Sequence, residues 1–198
     1  QFTVHGLEAH AGIAPEEGIS AIQVAAEGIA AMRLGRVDTE TTANIGRMEG
    51  GLASNIIPNR VVLRAETRSL TVEGLEAQTR HMRESLERAA ARHRVTVGGR
   101  AHTARVETKV DRDYDRLAVD DARPIVGLVR RAAEALGTPF RTRSTGGGSD
   151  ANVFANRGLE VANLACGMRQ IHTVNEWVDI KDLVATTALL VETVRRHG

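Results

Sequence analysis

His172 lies in a polar segment, GMRQIHTVNEWV (residues 167–178), whose residue types suit a metal ligand. Glu176 follows it by four residues, and the only tryptophan of the chain is next to that glutamate. An imidazole with a carboxylate nearby is typical of a zinc site, but such a site needs three or four protein ligands. No further cluster of ligands is obvious near His172, so its partners must come from elsewhere.

A second histidine, His10, also lies in a loop with small neighbours, where its ring is expected to be accessible for ligation or proton transfer. Four others are expected at the surface, because they lie on polar helical faces, after a glycine turn or at the terminus: His81, His93, His102 and His197. An isolated loop histidine is more often structural than functional. The role of His10 therefore has to be inferred from the sequence motifs that flank it.

The segment STGGGSDANVFA contains three consecutive glycines followed by Ser149. Glycine has no Cβ, so backbone amides in such a loop can approach a ligand closely. A phosphate-binding loop is excluded, because no GK[ST] follows. The stretch Gly147–Ala151 approximates the G-x-S-x-G elbow of serine hydrolases, but it lacks the last glycine and follows a short, charged lead-in.

The composition argues against several classes of partner. The 26 basic and 25 acidic side chains nearly balance, which gives no electrostatic reason to expect nucleic acid or an anionic membrane. The single cysteine, Cys166, cannot form an internal disulfide, which favours a reducing compartment, the cytoplasm. No apolar run approaches the ~20 residues that span a bilayer.

The first part of the chain predicts a small α+β domain. Strand-like alternation at residues 2–7 precedes a helical pattern, and two strand-like runs at 42–50 and 60–70 predict a hairpin. An amphipathic helix is predicted at 72–93, and the strand pattern resumes in RVTVGG and ARVETKV. The order βαββαβ is that of a ferredoxin-like domain, which we predict over residues 1–115.

The remaining residues, 116–198, predict part of an α/β domain. Asp120 or Asp121 is placed to cap a helix that Gly137 ends. The segment LEVANLAC is typical of a buried strand, and Asp179 is placed to cap a last helix with an apolar stripe. One strand between helices would leave much apolar surface uncovered, because a sheet needs several strands and helices on both faces. The second domain is therefore predicted to be incomplete.

Four separated segments resemble one known family: HGLEAHAGIAPEEGISAI, ASNIIPNRVVLRAETR, TGGGSDANVF and HTVNEWV. They are similar, in the same order, to motifs of the dinuclear zinc exopeptidase family that contains carboxypeptidase G, peptidase T and the aminoacylases. The peptidase T-like members fit best. The resemblance extends over nearly all of the 198 residues.

The resemblance implies an architecture in which a ferredoxin-like dimerisation, or lid, domain interrupts a catalytic α/β domain. The chain looks like the inserted domain followed by the C-terminal part of the catalytic domain. Most metal ligands of the family belong to the first catalytic segment, which carries a His-x-Asp motif, a bridging aspartate and a Glu-Glu pair. None of these motifs occurs here, since Glu16 and Glu17 belong to the helix-start loop of the lid. We therefore expect the other ligands to be encoded upstream of Gln1.

The resemblance also implies a role for particular residues. His172 would ligate one of two zinc ions, with Glu176 as a candidate acceptor for its other ring nitrogen. His10 would extend across a dimer into the neighbouring active site and stabilise the oxyanion of the tetrahedral intermediate. Asn55 and Arg68 would bind the substrate carboxylate. The planar guanidinium of arginine can donate two parallel hydrogen bonds to a carboxylate. The loop residues expected at the substrate are Gly147, Gly148, Ser149 and Asn152.

These roles predict part of an intracellular zinc-dependent exopeptidase, similar to tripeptide aminopeptidases, that hydrolyses short peptides. The isolated chain is expected to be inactive and to form a homodimer through the lid domain, with no nucleic-acid or membrane partner. Two alternatives stay open: a non-catalytic dimerisation or peptide-binding module, and a serine hydrolase that uses Ser149. For Arg68, the competing interpretation is a surface ion pair with Glu66.

Overall fold

The chain divides into two units, residues 1–111 and 112–198, in the computed structural model. The structure describes residues 1–197. The boundary predicted from the sequence, after residue 115, falls four residues later than the observed one. All strands of the described chain belong to the first unit, so the two units have different architectures.

Within residues 1–111, two helices and seven strands are present, and a 3₁₀ turn at Pro15–Glu17 precedes the first helix. In chain order the elements are β1 (Phe2–His5), α1 (Ala21–Ala30), β2 (Gly35–Arg36), β3 (Thr41–Gly50), β4 (Arg60–Ser69), α2 (Val72–Arg92), β5 (Arg94–Val97), β6 (Arg100–Thr103) and β7 (Arg105–Thr108).

Five strands form one antiparallel sheet in the order β2-β3-β4-β1-β7. With β1 between β4 and β7, this is the ferredoxin-like arrangement, and the predicted order βαββαβ is confirmed. The run RVTVGG contributes no strand to this sheet, because β5 pairs with β6 as a separate hairpin. Gly98 and Gly99 form the turn of that hairpin with positive φ angles of 55° and 78°.

The core of this unit lies between the sheet and its two helices. Val61 and Leu63 of β4 are fully buried, as are Met82 and Leu86 of α2. The two helices approach each other closely at Gly28, where a Cβ would lie 2.5 Å from Leu86 Cδ2 and 3.1 Å from Leu86 Cα. Glycine at this position therefore permits the spacing of the helices.

Two histidines that were predicted at the surface hold α2 in place instead. His81 Nε2 accepts a hydrogen bond from the backbone N–H of Arg33 (3.1 Å), and His93 Nε2 lies 3.0 Å from Glu27 Oε1. Burial, followed by repulsion from Arg33 and Arg88, lowers the pKa of His81. A polar helical face was a poor guide here, because the partners come from residues distant in the sequence.

The two ends of the first unit are neighbours in the sheet. Phe2 of β1 pairs with Thr108 of β7, and the Lys109 N–H donates to the Gln1 carbonyl at 2.9 Å. The chain therefore enters and leaves this unit at one place.

The second unit contains α3 (Pro124–Ala135), α4 (Asp150–Asn156) and α5 (Ile180–His197). Gly137, with φ of 63°, follows the end of α3 as predicted, and Asp179 Oδ1 accepts from the Lys181 N–H (3.0 Å) at the start of α5. This backbone N–H is also the main reason that the pKa of Asp179 is lowered. The aspartate cap predicted for α3 is wrong, because Arg123 occupies the cap position without a side-chain bond.

One further prediction for this unit is corrected. LEVANLAC is not a strand, since no strand of the described second unit is available to pair with it. The apolar stripe of α5 exists, but no residue of Ile180–His197 is buried, although α5 contacts α3. Between residues 1 and 197, no helix has the length and apolar character that a membrane crossing requires.

Candidate functional site

His10 and Asn55, which belong to separate motifs, lie on two loops that the backbone joins. The Ala11 N–H donates to the Asn55 carbonyl at 3.0 Å, and His10 forms an isolated β-bridge with Ile56. Both His10 and Asn55 are exposed. The fold therefore brings together two of the predicted site residues at one surface of the first unit.

The ring of His10 is oriented by the backbone of its own loop. Its Nδ1 accepts hydrogen bonds from the N–H groups of Gly12 (3.1 Å) and Ile13 (3.2 Å). A neutral imidazole has one donor and one acceptor nitrogen, so the hydrogen of His10 lies on Nε2. Within residues 1–197, no side chain or backbone group is hydrogen-bonded to that Nε2. His10 therefore presents an Nε2–H donor that the backbone of its own loop orients.

Arg68 lies at the other end of β4 from these loops. The strand begins at Arg60, close to the loop of Asn55, and at ~3.3 Å per residue Arg68 is about 26 Å further along. Arg68 donates from Nε and Nη2 to the carboxylate of Glu66, at 3.2 and 2.8 Å. The ion pair that competes with a binding role is thus present, and one copy of the unit does not place Arg68 beside His10.

The glycine loop precedes α4, and Gly147, Gly148 and Ser149 are exposed. Asn152, in contrast, is only 6% exposed. Its Oδ1 accepts from the Ser149 N–H (3.0 Å), and its Nδ2 donates to the Asp115 carbonyl (2.9 Å). Both ends of the Asn152 amide are therefore used inside the unit, where they hold the loop rather than contact a ligand.

The serine hydrolase alternative depends on a base beside Ser149. Among residues 1–197, no histidine is hydrogen-bonded to Ser149, and this serine instead occupies the cap position of α4. The described chain therefore offers Ser149 no activating partner.

His172 is exposed and has a positive φ of 64°, which is uncommon for a residue other than glycine. Gln170, two residues earlier, has a φ of 54°. Glu176 Oε2 accepts from the backbone N–H of His172 at 2.7 Å, rather than from its ring. Glu176 therefore stabilises the turn. Strained backbone of this kind is often found at functional sites, which supports a functional role for the turn.

The base of this turn is closed by residues that the sequence analysis did not assign. Arg169 and Trp177 exchange two backbone hydrogen bonds, and the Arg169 guanidinium lies 4.6 Å from the centre of the Trp177 ring. Arg169 Nη1 also donates to Asp182 of α5 at 3.0 Å. The only signal in the sequence was the lone tryptophan, since cation–π pairs have no fixed spacing.

A metal ion does not fit the described residues alone. Among residues 1–197, no three histidine, cysteine, aspartate or glutamate side chains lie close enough together to hold one. His172 is exposed and therefore accessible as a single ligand, but one ligand is insufficient for zinc.

The first unit is similar to a known protein family. Residues 1–94 match the M20 peptidase dimerisation domain family. The chain is 45% identical over 188 residues to the uncharacterised protein YqjE of Bacillus subtilis, covering 95% of this chain and 48% of YqjE.

Two solved structures resemble the chain over most of its length. Aminopeptidase PepT of Bacillus cereus is 44% identical with a TM-score of 0.76, covering 98% of this chain and 50% of PepT. A tripeptidase of Staphylococcus aureus is 36% identical with a TM-score of 0.77, covering 97% of this chain and 49% of the tripeptidase. The chain thus spans about half the length of these relatives.

A more distant structure shares the fold alone. YXEP of Bacillus subtilis, described as a dinuclear metal-binding peptidase of the M20 family, is 17% identical with a TM-score of 0.54, covering 97% of this chain and 48% of YXEP. The predicted ferredoxin-like dimerisation domain is confirmed by the family match and by the observed sheet order. The assignment of residues 116–198 to the C-terminal part of a catalytic domain stays a prediction. Residues 1–94 match the model of the peptidase dimerisation domain, and the chain is similar over nearly all of its length to proteins described as an aminopeptidase and a tripeptidase.

Proposed function

We propose that the chain is part of a zinc-dependent exopeptidase similar to tripeptide aminopeptidases, acting on short peptides in the cytoplasm. The observation that carries this proposal is the fixed Nε2–H donor of His10, because amide hydrolysis needs a donor for the developing oxyanion. The similarity to proteins described as an aminopeptidase and a tripeptidase supports it.

His10 stabilises the carbonyl oxygen of the scissile bond as negative charge develops on it. Its ring is already held by two backbone N–H groups, so it needs no reorganisation during the reaction. Removal of one such donor lowers kcat by roughly 10²–10³-fold in well-studied hydrolases.

The separation along β4 indicates how the binding residues are shared. A short peptide is much shorter than the about 26 Å between Arg60 and Arg68. Arg68 and His10 of one protomer therefore serve different active sites of a homodimer. Asn55 accompanies His10, whereas Arg68 exchanges Glu66 for the substrate carboxylate.

His172 supplies one metal ligand, and the other ligands and the general base come from a segment outside this chain. Two ions bound in the complete enzyme would act as Lewis acids and would lower the pKa of a water ligand to about 7. The isolated chain, with a single ligand, neither holds zinc nor cleaves peptides.

A subunit-mixing experiment on the full-length protein tests this arrangement. His10→Ala and His172→Ala homodimers are each expected to lose activity. When the two variants are unfolded and refolded together, about a quarter of the wild-type activity returns, because half of random dimers are hybrids with one complete site.

The two controls are refolding of each variant alone and refolding of wild type under the same conditions. If His10 acted within its own subunit, no hybrid would contain a complete site and the mixture would stay inactive. Dimers without peptidase activity in any full-length form would instead favour the non-catalytic module.

A further inference from the structure

Tyr114, the only tyrosine of the chain, lies with its ring against the backbone of Gly148. A Cβ at Gly148 would lie 2.6 Å from the ring Cε2 and still closer to Cζ and Oη. Any side chain at 148 would therefore displace the ring. Gly146 differs, because a Cβ there would meet nothing within 4 Å.

The residue after Tyr114 is attached to the same loop through buried Asn152. Asn152 donates to the Asp115 carbonyl and accepts from the Ser149 N–H, so one amide connects the two segments. Asn156 adds a bond of 3.3 Å to the Asp115 carboxylate. Tyr114 thus contacts the loop at Gly148, and Asp115 is connected to it at Ser149 through Asn152.

We propose that Tyr114 is a positioning residue that fixes the backbone of residues 147–149 and thereby the Gly148 amide that is offered to substrate, while the Gly147 and Ser149 N–H groups donate to Thr145 Oγ1 and Asn152 Oδ1. This inference rests on the proposed function, in which the Gly148 amide approaches the peptide. Tyr114 itself does not touch substrate. Its ring covers one side of the loop, and Asn152 holds the other end.

The inference changes the explanation for the glycine at position 148. If substrate alone required it, a methyl group there would impair binding whether or not Tyr114 is present. If the ring requires it, Gly148→Ala acts by expelling Tyr114. In that case Gly148→Ala adds little in a chain that already lacks the ring.

Hydrogen exchange of the loop amides, measured on this chain by mass spectrometry, tests the contact without reference to activity. Tyr114→Ala and Gly148→Ala are each expected to raise exchange at residues 147–149 roughly tenfold, and the double variant no further than either alone. Tyr114→Phe keeps the ring and restores slow exchange. Gly146→Ala is the matched control and leaves it unchanged.

Exchange in α5 shows whether each variant is folded. Unchanged loop exchange in folded Tyr114→Ala, or additive effects in the double variant, would overturn the inference.

Kinetics of the full-length protein separate this inference from the proposed function. Tyr114→Ala is expected to raise KM roughly tenfold with a smaller change in kcat, because the Gly148 amide binds the substrate before and during reaction. Tyr114→Phe keeps the wild-type KM. Faster loop exchange with wild-type KM in Tyr114→Ala would overturn the positioning role, whereas a full-length protein without peptidase activity would overturn the proposed function alone.

Discussion

The two units differ in how much of their apolar surface is buried. In the first, strands and both helices enclose one cluster that includes Val4, Val24 and Leu63, all fully buried. In the second, α3 buries one side, but no residue of α5 is buried, and Leu190 and Val194 remain 49% and 71% exposed. Burial of such side chains is a main source of stability. The first unit therefore completes its own core, whereas the second has an apolar face that further surface would stabilise.

The same substitution in each unit provides the most sensitive test of this difference. Leu63→Ala, in the core, is expected to lower the free energy of unfolding by about 2–5 kcal/mol, because it leaves a cavity. Leu190→Ala, on α5, is expected to change it by about 0.5 kcal/mol or less, as at an ordinary surface position. Denaturant unfolding followed by circular dichroism and by Trp177 fluorescence measures both, since Trp177 reports on the second unit alone. A large loss in Leu190→Ala would show that α5 is covered, for example by a second copy.

Helix glycines offer a second matched pair, with opposite expected signs. Gly28→Ala is expected to destabilise the first unit by about 1 kcal/mol, because overpacking against Leu86 exceeds the gain in helix propensity. At Gly127 of α3, a Cβ would meet only the end of the Arg131 side chain, at 3.4 Å. Gly127→Ala is therefore expected to stabilise its helix by about 0.5–1 kcal/mol. The midpoints of thermal unfolding of both variants test these two signs. Stabilisation by Gly28→Ala would show that the two helices can move apart.

The pH dependence of the first unit gives the smallest effect. Because burial lowers the pKa of His81 below its ordinary 6.5, the unfolded chain takes up a proton at higher pH than the folded unit. Stability from His81 is thus complete above pH 6.5 and decreases as the pH falls towards the folded pKa. Denaturation midpoints at about pH 7.5 and 5.5 should differ less in His81→Gln, which keeps an acceptor for Arg33. The Trp177 transition serves as the internal control, and an equal drop in both proteins would contradict the prediction.

The elements that the sequence predicted well are those whose signals are local. Alternation identified β3 and β4, and α2 begins where Thr71 caps it by accepting from the Gly74 N–H. Periodicity also located α5, but it indicates an apolar face and not what covers that face. The prediction of a strand at LEVANLAC was wrong for the same reason, because a strand depends on neighbouring strands that its own residues do not specify.

The site shows the same division between local and distant information. His10 and Asn55 were proposed from motifs, yet their shared surface depends on a backbone contact between distant loops. The contact of Tyr114 with Gly148 has no counterpart in sequence spacing, so the three glycines alone suggested only access for a ligand. Such contacts become visible only when the chain is folded.

The pairing of Gln1 with Lys109 has a practical consequence for protein engineering. Because its two ends lie side by side, this unit can be inserted into a surface loop of a host protein without moving the ends of that loop apart. Exchange of this unit between related chains therefore requires only two neighbouring junctions.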